Sequence, residues 1–296
     1  MTTNEASTTW TRFRHGDFTC TVVSDGPLYP GPAHDSFPNA DPAEIDAILR
    51  RAGLPTDRVT LQQNLLAVDT GDRLVLFDTG VGTMPELGRR VYGPQAGRAI
   101  DNLAAAGIRP ADIDIVALTH AHPDHAWGLL ASDGTPLFTN ATIVLGDADY
   151  THFTDTAIAE RVANHHIRNQ YTGARINLLP YAERLVRIGD GHVVAEGITA
   201  IATPGHSPGH IVYEITSGGE TLVVWGDLCH HPILLERPHW SFRFDGDPPA
   251  AAHQRDRIFH RLAERGETIL SYHFPFPGLG TLHAAGAGYH WQPAHV

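Results

Sequence analysis

The chain has 296 residues, of which 42% are hydrophobic, so it is long enough for one large domain or two ordinary ones. Its formal net charge is −12 at pH 7, and an acidic chain lacks the clustered cations that bind nucleic acid. No apolar run approaches the roughly eighteen residues that span a bilayer, and no signal-peptide pattern opens the sequence. Composition therefore predicts a cytoplasmic protein that binds neither nucleic acid nor a membrane.

The first part of the chain predicts a strand-rich region with one well-capped helix. Residues 1–15 are expected to be a flexible terminus, and the proline- and glycine-rich residues 27–40 a loop or arm, at the surface or in a pocket wall. Residues 41–44 are typical of a helix start. Asp41 would be the N-cap, and Glu44 would reach back to it.

The most informative segment is the loop at residues 119–128, which has the sequence Thr-His-Ala-His-Pro-Asp-His-Ala-Trp-Gly. It follows the apolar run at residues 113–118, which predicts a buried strand, so the polar side chains leave the end of a rigid element. Neutral imidazole and carboxylate groups are ligands that zinc and similar divalent metals prefer. Three imidazoles and one carboxylate within six residues therefore predict a metal site.

Later in the chain, apolar runs end three more times in a polar side chain. His206, Asp227 and His273 each follow such a run and lie beside a small or turn-forming residue. A solvated polar loop would explain one such coincidence but hardly four, so we prefer metal binding as the interpretation. Residues 147–173 predict helices that partly cover a site like a lid, and residues 247–265 predict a long helix.

The order of these residues resembles the metallo-β-lactamase fold superfamily, whose signature is His-x-His-x-Asp-His followed by a His, a bridging Asp and a last His. The resemblance covers about residues 18–273. It implies an α/β (α+β) fold, a four-layer αββα sandwich in which residues 1–296 form a single domain. It also implies two divalent metal ions, zinc in the first instance, with manganese, iron and cobalt as alternatives. The implied ligands, three for the first ion, three for the second and one bridging both, are His120, His122, His206, Asp124, His125, His273 and Asp227.

Toward the C-terminus the resemblance narrows to methyl-parathion-hydrolase-like enzymes, which overlap the acyl-homoserine-lactone lactonases. The similar segments are residues 226–230, 244–247 and 273–280. This resemblance implies a hydrolase whose two metals share a hydroxide that attacks an ester-like bond of a small molecule: a lactone, a carboxylic ester or a phosphotriester. Asp124 would accept and pass on the proton, and Asp227 would set the metal separation. The side chains predicted to line the substrate pocket are Trp127, His230, Phe274 and Phe276.

Two other enzyme classes stay open as alternatives. A thioesterase like glyoxalase II has a motif that resembles residues 203–210. An iron oxygenase like the persulfide dioxygenases would use one metal and leave Asp124 unligated. The β-lactamases of this superfamily are disfavoured, because they often have arginine or asparagine at the position of His125 and cysteine at that of Asp227.

Three expectations concern residues outside the ligand set. His210 is expected to support a ligand rather than to be one. Either His230 or His231 could polarise a substrate carbonyl, since both lie close to Asp227 in the sequence. A homodimer is an option, because methyl-parathion-hydrolase-like enzymes are often dimers.

Overall fold

The computed structural model describes residues 9–294, and within that range strands and helices alternate in two similar halves. The strands are, in chain order, β1 (Trp10–His15), β2 (Phe18–Ser24), β3 (Leu28–Gly31), β4 (Val59–Leu61), β5 (Asn64–Asp69), β6 (Leu74–Phe77), β7 (Ile115–Ala117), β8 (Thr142–Gly146), β9 (Leu185–Ile188), β10 (Val193–Ala195), β11 (Ile198–Ala202), β12 (Ile211–Ser217), β13 (Glu220–Val224), β14 (Thr268–Leu270), β15 (Leu279–Ala285) and β16 (Gly288–Pro293). The α-helices are α1 (Ala33–Ser36), α2 (Pro42–Arg51), α3 (Arg89–Tyr92), α4 (Ala99–Ala105), α5 (Pro123–Ala126), α6 (Asp147–Thr154), α7 (Thr156–Arg161), α8 (His165–Leu178), α9 (Ile233–Glu236) and α10 (Pro248–Arg265).

Two mixed sheets of seven strands form the centre of the fold. The first has the strand order β1-β2-β5-β6-β7-β8-β9, and the second has the order β10-β11-β12-β13-β14-β15-β16. In the first sheet the strands from β6 to β9 run parallel, and in the second β13 and β14 run parallel. Strands β3 and β4 form a separate antiparallel pair.

The core lies between the sheets and again on their outer faces, because successive side chains of a strand point to opposite faces. In β5, Leu66 and Val68 belong to the cluster between the sheets, whereas Leu65 and Ala67 pack on the outer side. A strand that is buried on both faces appears in the sequence as a continuous apolar run. This explains why β5 and its neighbours have few polar positions.

Helices cover both outer faces, which gives the four-layer αββα sandwich. Apolar side chains of α4 and α8 join the cluster on the outer face of the first sheet. Those of α2 and α10 join the cluster on the outer face of the second sheet. None of the helices in residues 9–294 has the length and apolar composition needed to cross a membrane.

The capping signals of two helices are confirmed. The carboxylate of Asp41 accepts hydrogen bonds from the backbone N–H of Ala43 and Glu44, as an N-cap does. Helix α10 begins after Asp247 and ends before Gly266, whose φ of 63° is the left-handed C-cap conformation. The expected capping box is wrong in one respect, because the carboxylate of Glu44 accepts from the guanidinium of Arg237 instead of reaching back.

Two expectations about irregular segments are also wrong. Residues 10–15 form β1, which pairs with β2 along its whole length, while residues 1–8 of the expected flexible terminus lie outside the described residues. Residues 27–40 are not an irregular arm, since they contain β3 and α1. Both segments are ordered by contacts with other parts of the chain, and a local sequence pattern does not reveal such contacts.

Candidate metal centre

The seven predicted ligands lie together at one edge of the sandwich, where four strands end. The loop after β7 carries four of them, and the loops after β11, β13 and β14 carry one each. Helix α5 begins at Pro123 and folds the first loop back on itself. This turn brings His125 toward the same centre as His120.

The carboxylate of Asp227 lies between two groups of ligand atoms. Its Oδ2 is 3.1 Å from Nε2 of His206 and 3.6 Å from Nε2 of His120. Its Oδ1 is 3.0 Å from Nε2 of His125 and 3.0 Å from Nε2 of His273. The two oxygens of one carboxylate therefore face two different groups of imidazoles.

Each group has enough donors at the right spacing to hold a metal ion. In the first, Nε2 of His206 lies 2.8 Å from Nδ1 of His122 and 3.2 Å from Nε2 of His120. In the second, Oδ2 of Asp124 lies 3.5 Å from Nε2 of both His125 and His273. Within each group the ligand atoms lie within 4.8 Å of one another, and Asp227 belongs to the first of these groups as well.

The donor set fits a divalent metal. Four ligands around a tetrahedral zinc ion at 2.0–2.1 Å stand about 3.3 Å apart, close to the nitrogen–nitrogen separations in the first group. Among residues 9–294, Nε2 of His125 and Oδ1 of Asp227 are buried without a hydrogen-bond partner, although they lie 3.0 Å apart. Such atoms are costly to bury unpaired, and a cation between them would remove that cost.

The Asp78 carboxylate fixes the loop that carries four of the ligands. It accepts a hydrogen bond from the backbone N–H of Thr119 at 2.7 Å and another from Nδ1 of His125 at 2.8 Å. Asp78 itself has a φ of 61°, a strained conformation for a residue other than glycine. A carboxylate that holds the far nitrogen of a ligand histidine sets its orientation and tautomer.

Two other ligand histidines are oriented in the same way. Nδ1 of His206 lies 3.2 Å from the carboxylate of Asp245, and Nδ1 of His273 donates to the backbone carbonyl of Gln62 at 2.7 Å. Both rings therefore present Nε2 to the centre. Burial lowers the pKa of His120 and of His122 well below the usual value, so these rings are in the neutral form that binds metal.

His210 supports the centre without facing it, as expected from the sequence. Its Nε2 accepts a hydrogen bond from the backbone N–H of Asp227 at 3.0 Å, so its Nδ1 carries the proton and donates to the hydroxyl of Thr203 at 2.8 Å. Burial lowers the pKa of His210 to about 3. Both ring nitrogens are used, which leaves neither for a metal.

A cavity of about 310 Å³ opens onto the ligands. One wall is apolar and is formed by Leu28, Tyr29, Pro30, Leu61, Val91, Tyr92, Phe242 and Phe244. The polar lining outside the ligand set consists of His166, Gln170, His230 and Arg243. Residues 28–30 thus belong to a pocket wall, one of the two options predicted above, and α8 contributes His166 and Gln170 to the lining.

Three of the four residues predicted for the substrate pocket are wrong. Among the described residues, Trp127, Phe274 and Phe276 are absent from the cavity lining, whereas His230 is part of it. The Trp127 indole packs against α8 so closely that a Cβ on Gly173 would lie 2.2 Å from it.

Both phenylalanines pack with the hydrophobic clusters instead of lining the cavity. Phe274 is fully buried, and its ring lies 5.5 Å from that of Trp225 and 5.0 Å from that of Trp291. Phe276 packs against the cluster between the sheets. The chain bends at residues 272–275 and directs Phe274 into the core, so proximity to His273 in the sequence was a poor guide.

The aromatic lining was missed because only a weak local signal marks it. Tyr92 ends α3, and Phe242 and Phe244 lie in the loop before α10. These segments meet at the cavity only after the chain has folded. A length of coil rich in aromatic residues before a helix was the one available hint.

Known proteins resemble this chain in sequence and in fold. Residues 58–273 match the model of the metallo-beta-lactamase superfamily. YqjP of Bacillus subtilis, a probable metallo-hydrolase, is 29% identical over 241 residues, which cover 71% of this chain. The match spans 65% of that relative's length.

Two solved structures superpose over nearly the whole chain. AidC, a dizinc quorum-quenching lactonase in complex with a product, has a TM-score of 0.89 and 25% identity, covering 97% of this chain and 98% of that one. The hydrolase AbOPH, of the beta-lactamase superfamily, has a TM-score of 0.88 and 28% identity, covering 99% of each chain.

Proposed function

The chain belongs to the metallo-beta-lactamase superfamily, and we propose that it is a dinuclear metallo-hydrolase that cleaves an ester-like bond of an apolar small molecule. The observation that carries this proposal is the position of Asp227. Its two carboxylate oxygens face two separate groups of ligand atoms at 3.0–3.1 Å. A carboxylate in that position suits two metals rather than one.

In this proposal each metal has its own set of ligands, and one ligand is shared. The first metal is held by His120, His122 and His206, and the second by Asp124, His125 and His273, with Asp227 shared. Two divalent ions held in this way would lower the pKa of water toward about 7 and supply a hydroxide nucleophile at neutral pH. Zinc is the metal we favour, and AidC, a dizinc enzyme, supports that choice.

Asp124 would handle the proton. Its side chain is 15% exposed, whereas that of Asp227 is 4% exposed, and it lines the cavity. A carboxylate at the boundary between ligands and cavity can accept the proton released by the nucleophile and deliver it to the leaving group. Asp227, further inside, would fix the separation of the metals.

The cavity favours an uncharged substrate with apolar substituents. Its wall is mostly aromatic and aliphatic, and apolar surface of that kind gains free energy when it is removed from water. Arg243 is at its mouth, where the guanidinium lies 5.1 Å from the ring centre of Phe244 and donates to the carbonyl of Pro30. A lactone or carboxylic ester with an acyl chain fits this lining, and the product-bound lactonase AidC supports the lactone.

One observation argues against the mononuclear alternative. A mononuclear oxygenase would leave Asp124 unligated, yet its Oδ2 lies 3.5 Å from two imidazole nitrogens.

The proposal is tested by metal analysis beside a substrate panel. The panel contains p-nitrophenyl butyrate, an N-acyl lactone, a phosphotriester, a thioester, glutathione persulfide and a β-lactam. We expect two metal ions per chain, with the lactone or the carboxylic ester turned over fastest. One iron per chain together with persulfide oxidation would contradict the proposal, as would a fully metallated protein that hydrolyses no ester.

A further inference from the structure

His230 is a buried imidazole that lies against the Asp227 carboxylate and makes no hydrogen bond of good geometry among the described residues. It follows Asp227 by three residues, lines the cavity and is 1% exposed. Neither of its ring nitrogens has a hydrogen-bond partner among residues 9–294. The ligand histidines His125, His206 and His273 differ in this respect, because each has a partner on Nδ1.

Packing fixes the orientation of the His230 ring. It stacks on Phe242 with ring centres 4.0 Å apart and 20° between the planes, and it is also nearly parallel to His273 at 5.5 Å. Its Nε2 lies 3.0 Å from Oδ2 of Asp227. The ring edge that carries Nε2 is therefore held at the boundary between the proposed metal ligands and the cavity.

The neighbouring His231 has no such position. Its Nδ1 accepts a hydrogen bond from the backbone N–H of Ile233, and its ring packs against Phe37. Among the described residues, it is absent from the cavity lining. The sequence left His230 and His231 as equal candidates for contact with the substrate, and the geometry distinguishes them.

We propose that His230 is a catalytic residue whose N–H donates a hydrogen bond to the substrate oxygen that becomes negatively charged. This inference rests on the proposed ester hydrolysis. An imidazole has at least one N–H in either protonation state, so it can act as a donor. A donor already fixed beside the reacting group costs little reorganisation during the reaction.

In the reaction step His230 acts only as a hydrogen-bond donor and transfers no proton. The oxygen of hydroxide forms a bond to the carbonyl carbon, and the π electron pair of the carbonyl moves to its oxygen, which accepts the hydrogen bond from His230. The pair then returns, the bond to the leaving oxygen breaks, and that oxygen takes the proton carried by Asp124. His230 keeps its proton throughout.

One competing role is that of a metal ligand. His230 lies within ligand distance of His206 and Asp245, and also of Asp227 and His273. However, His206, Asp227 and His273 already belong to the two groups of ligands, and Asp245 holds the Nδ1 of His206. Metal content separates the two roles, because a ligand's removal releases metal and a donor's removal does not.

The test compares three variants of the full-length, metal-loaded protein. His230→Phe keeps the aromatic stack and removes both nitrogens. His230→Gln keeps an N–H near the place of Nε2. His231→Asn is the matched control, since its side-chain oxygen can still accept from the N–H of Ile233. The measurements are metal per chain, thermal unfolding, kcat and KM on the best ester, and the Kd of an alkyl phosphonate, which carries the tetrahedral anion.

We expect His230→Phe to keep both metals and a KM within about threefold, while kcat falls by about 10²–10³, the loss seen when one oxyanion donor is removed. Its phosphonate affinity should fall as well. His230→Gln should recover at least tenfold of the lost kcat, and His231→Asn should match the parent protein.

Three results would overturn the inference. Loss of metal from His230→Phe would make the residue a ligand, and an unchanged kcat and phosphonate affinity would make it part of the apolar wall. Equal loss in the Phe and Gln variants would exclude the donor role. If the parent protein binds two metals but hydrolyses no ester, the proposed function itself fails, and the inference fails with it; that result is seen before any variant is made.

Discussion

At the scale of single residues, the centre depends most on Asp227. This side chain is the one that both groups of ligand atoms share, and its backbone N–H is held by His210. The side chain and the backbone thus have separate partners. A substitution of the side chain leaves the bond from the backbone to His210 available, so the loop after β13 keeps one of its anchors.

We expect Asp227→Ala to lose metal and activity together while the protein stays folded. Loss of a residue that merely orients a ligand lowers metal affinity about 10–100-fold, so loss of a shared ligand should exceed 100-fold. The checks are metal per chain after dialysis, kcat on the best ester and the far-UV circular dichroism spectrum. The control is Asp256→Ala, which changes an exposed carboxylate on α10. A folded Asp227→Ala protein that retains two tightly bound metals would exclude the bridging role.

The residue scale also shows why the sequence predicted the clustering of the seven proposed ligands better than it predicted the pocket. The seven proposed ligands lie in strand-end loops with a strong local pattern, and the structure brings these side chains together. Pocket residues have no such pattern, because the wall is assembled from segments near residues 28, 92 and 242. Phe274 was assigned to the wall because it follows His273, yet the bend at residues 272–275 directs it into the core.

At the scale of elements, helix α10 is tied to the centre by a buried ion pair. Arg255 is fully buried and donates to the backbone carbonyls of Pro238 and Trp240 and to the carboxylate of Asp245. The other oxygen of Asp245 lies 3.2 Å from Nδ1 of His206. One arginine thus connects a helix, the loop that carries Phe242 and a ligand of the first group.

We expect Arg255→Met to lower the free energy of unfolding by about 3–5 kcal/mol, because it leaves the Asp245 carboxylate buried without its partner. The double variant Arg255→Met/Asp245→Leu should recover part of that stability, since neither charge remains. Its metal affinity should still be about 10–100-fold weaker, because His206 has lost its acceptor. Urea unfolding and metal competition measure the two effects.

The exposed Arg257 on the same helix provides the control. Arg257→Met should change the free energy of unfolding by less than about 0.5 kcal/mol. If the double variant bound metal as tightly as the parent protein, the contact between Asp245 and His206 would have no role in ligand orientation.

Elements with strong local signals were predicted well, and elements that depend on distant partners were not. The caps of α2 and α10 and the hairpin of β12 and β13 follow from short motifs. By contrast, β1 is an edge strand with polar positions, and it is ordered by pairing with β2. No local pattern distinguishes such a segment from a flexible terminus.

At the scale of the whole molecule, the two halves supply the centre in a similar way. In the first sheet, Asp78 follows β6 and the loop with four ligands follows the parallel strand β7. In the second sheet, Asp227 follows β13 and His273 follows the parallel strand β14. The carboxyl ends of parallel neighbours lie at the same edge of a sheet, which is where open α/β sheets form their sites. When the two sheets stack, the edge of the first sheet that carries these loops lies next to the corresponding edge of the second.

Because ligands come from both sheets, metal binding should stabilise the sandwich as a unit. An ion that binds the folded chain and not the unfolded one adds RT ln(1 + [L]/Kd), about 2.7 kcal/mol at a hundredfold excess over Kd. We therefore expect chelation to lower the Tm, and added zinc to raise it in a concentration-dependent way. The increment should shrink as pH falls from 7 to 5, since an imidazole must lose its proton to bind metal. Asp227→Ala should show a Tm that hardly responds to zinc. A parent protein whose Tm is the same with and without chelator would mean that no metal links the two sheets.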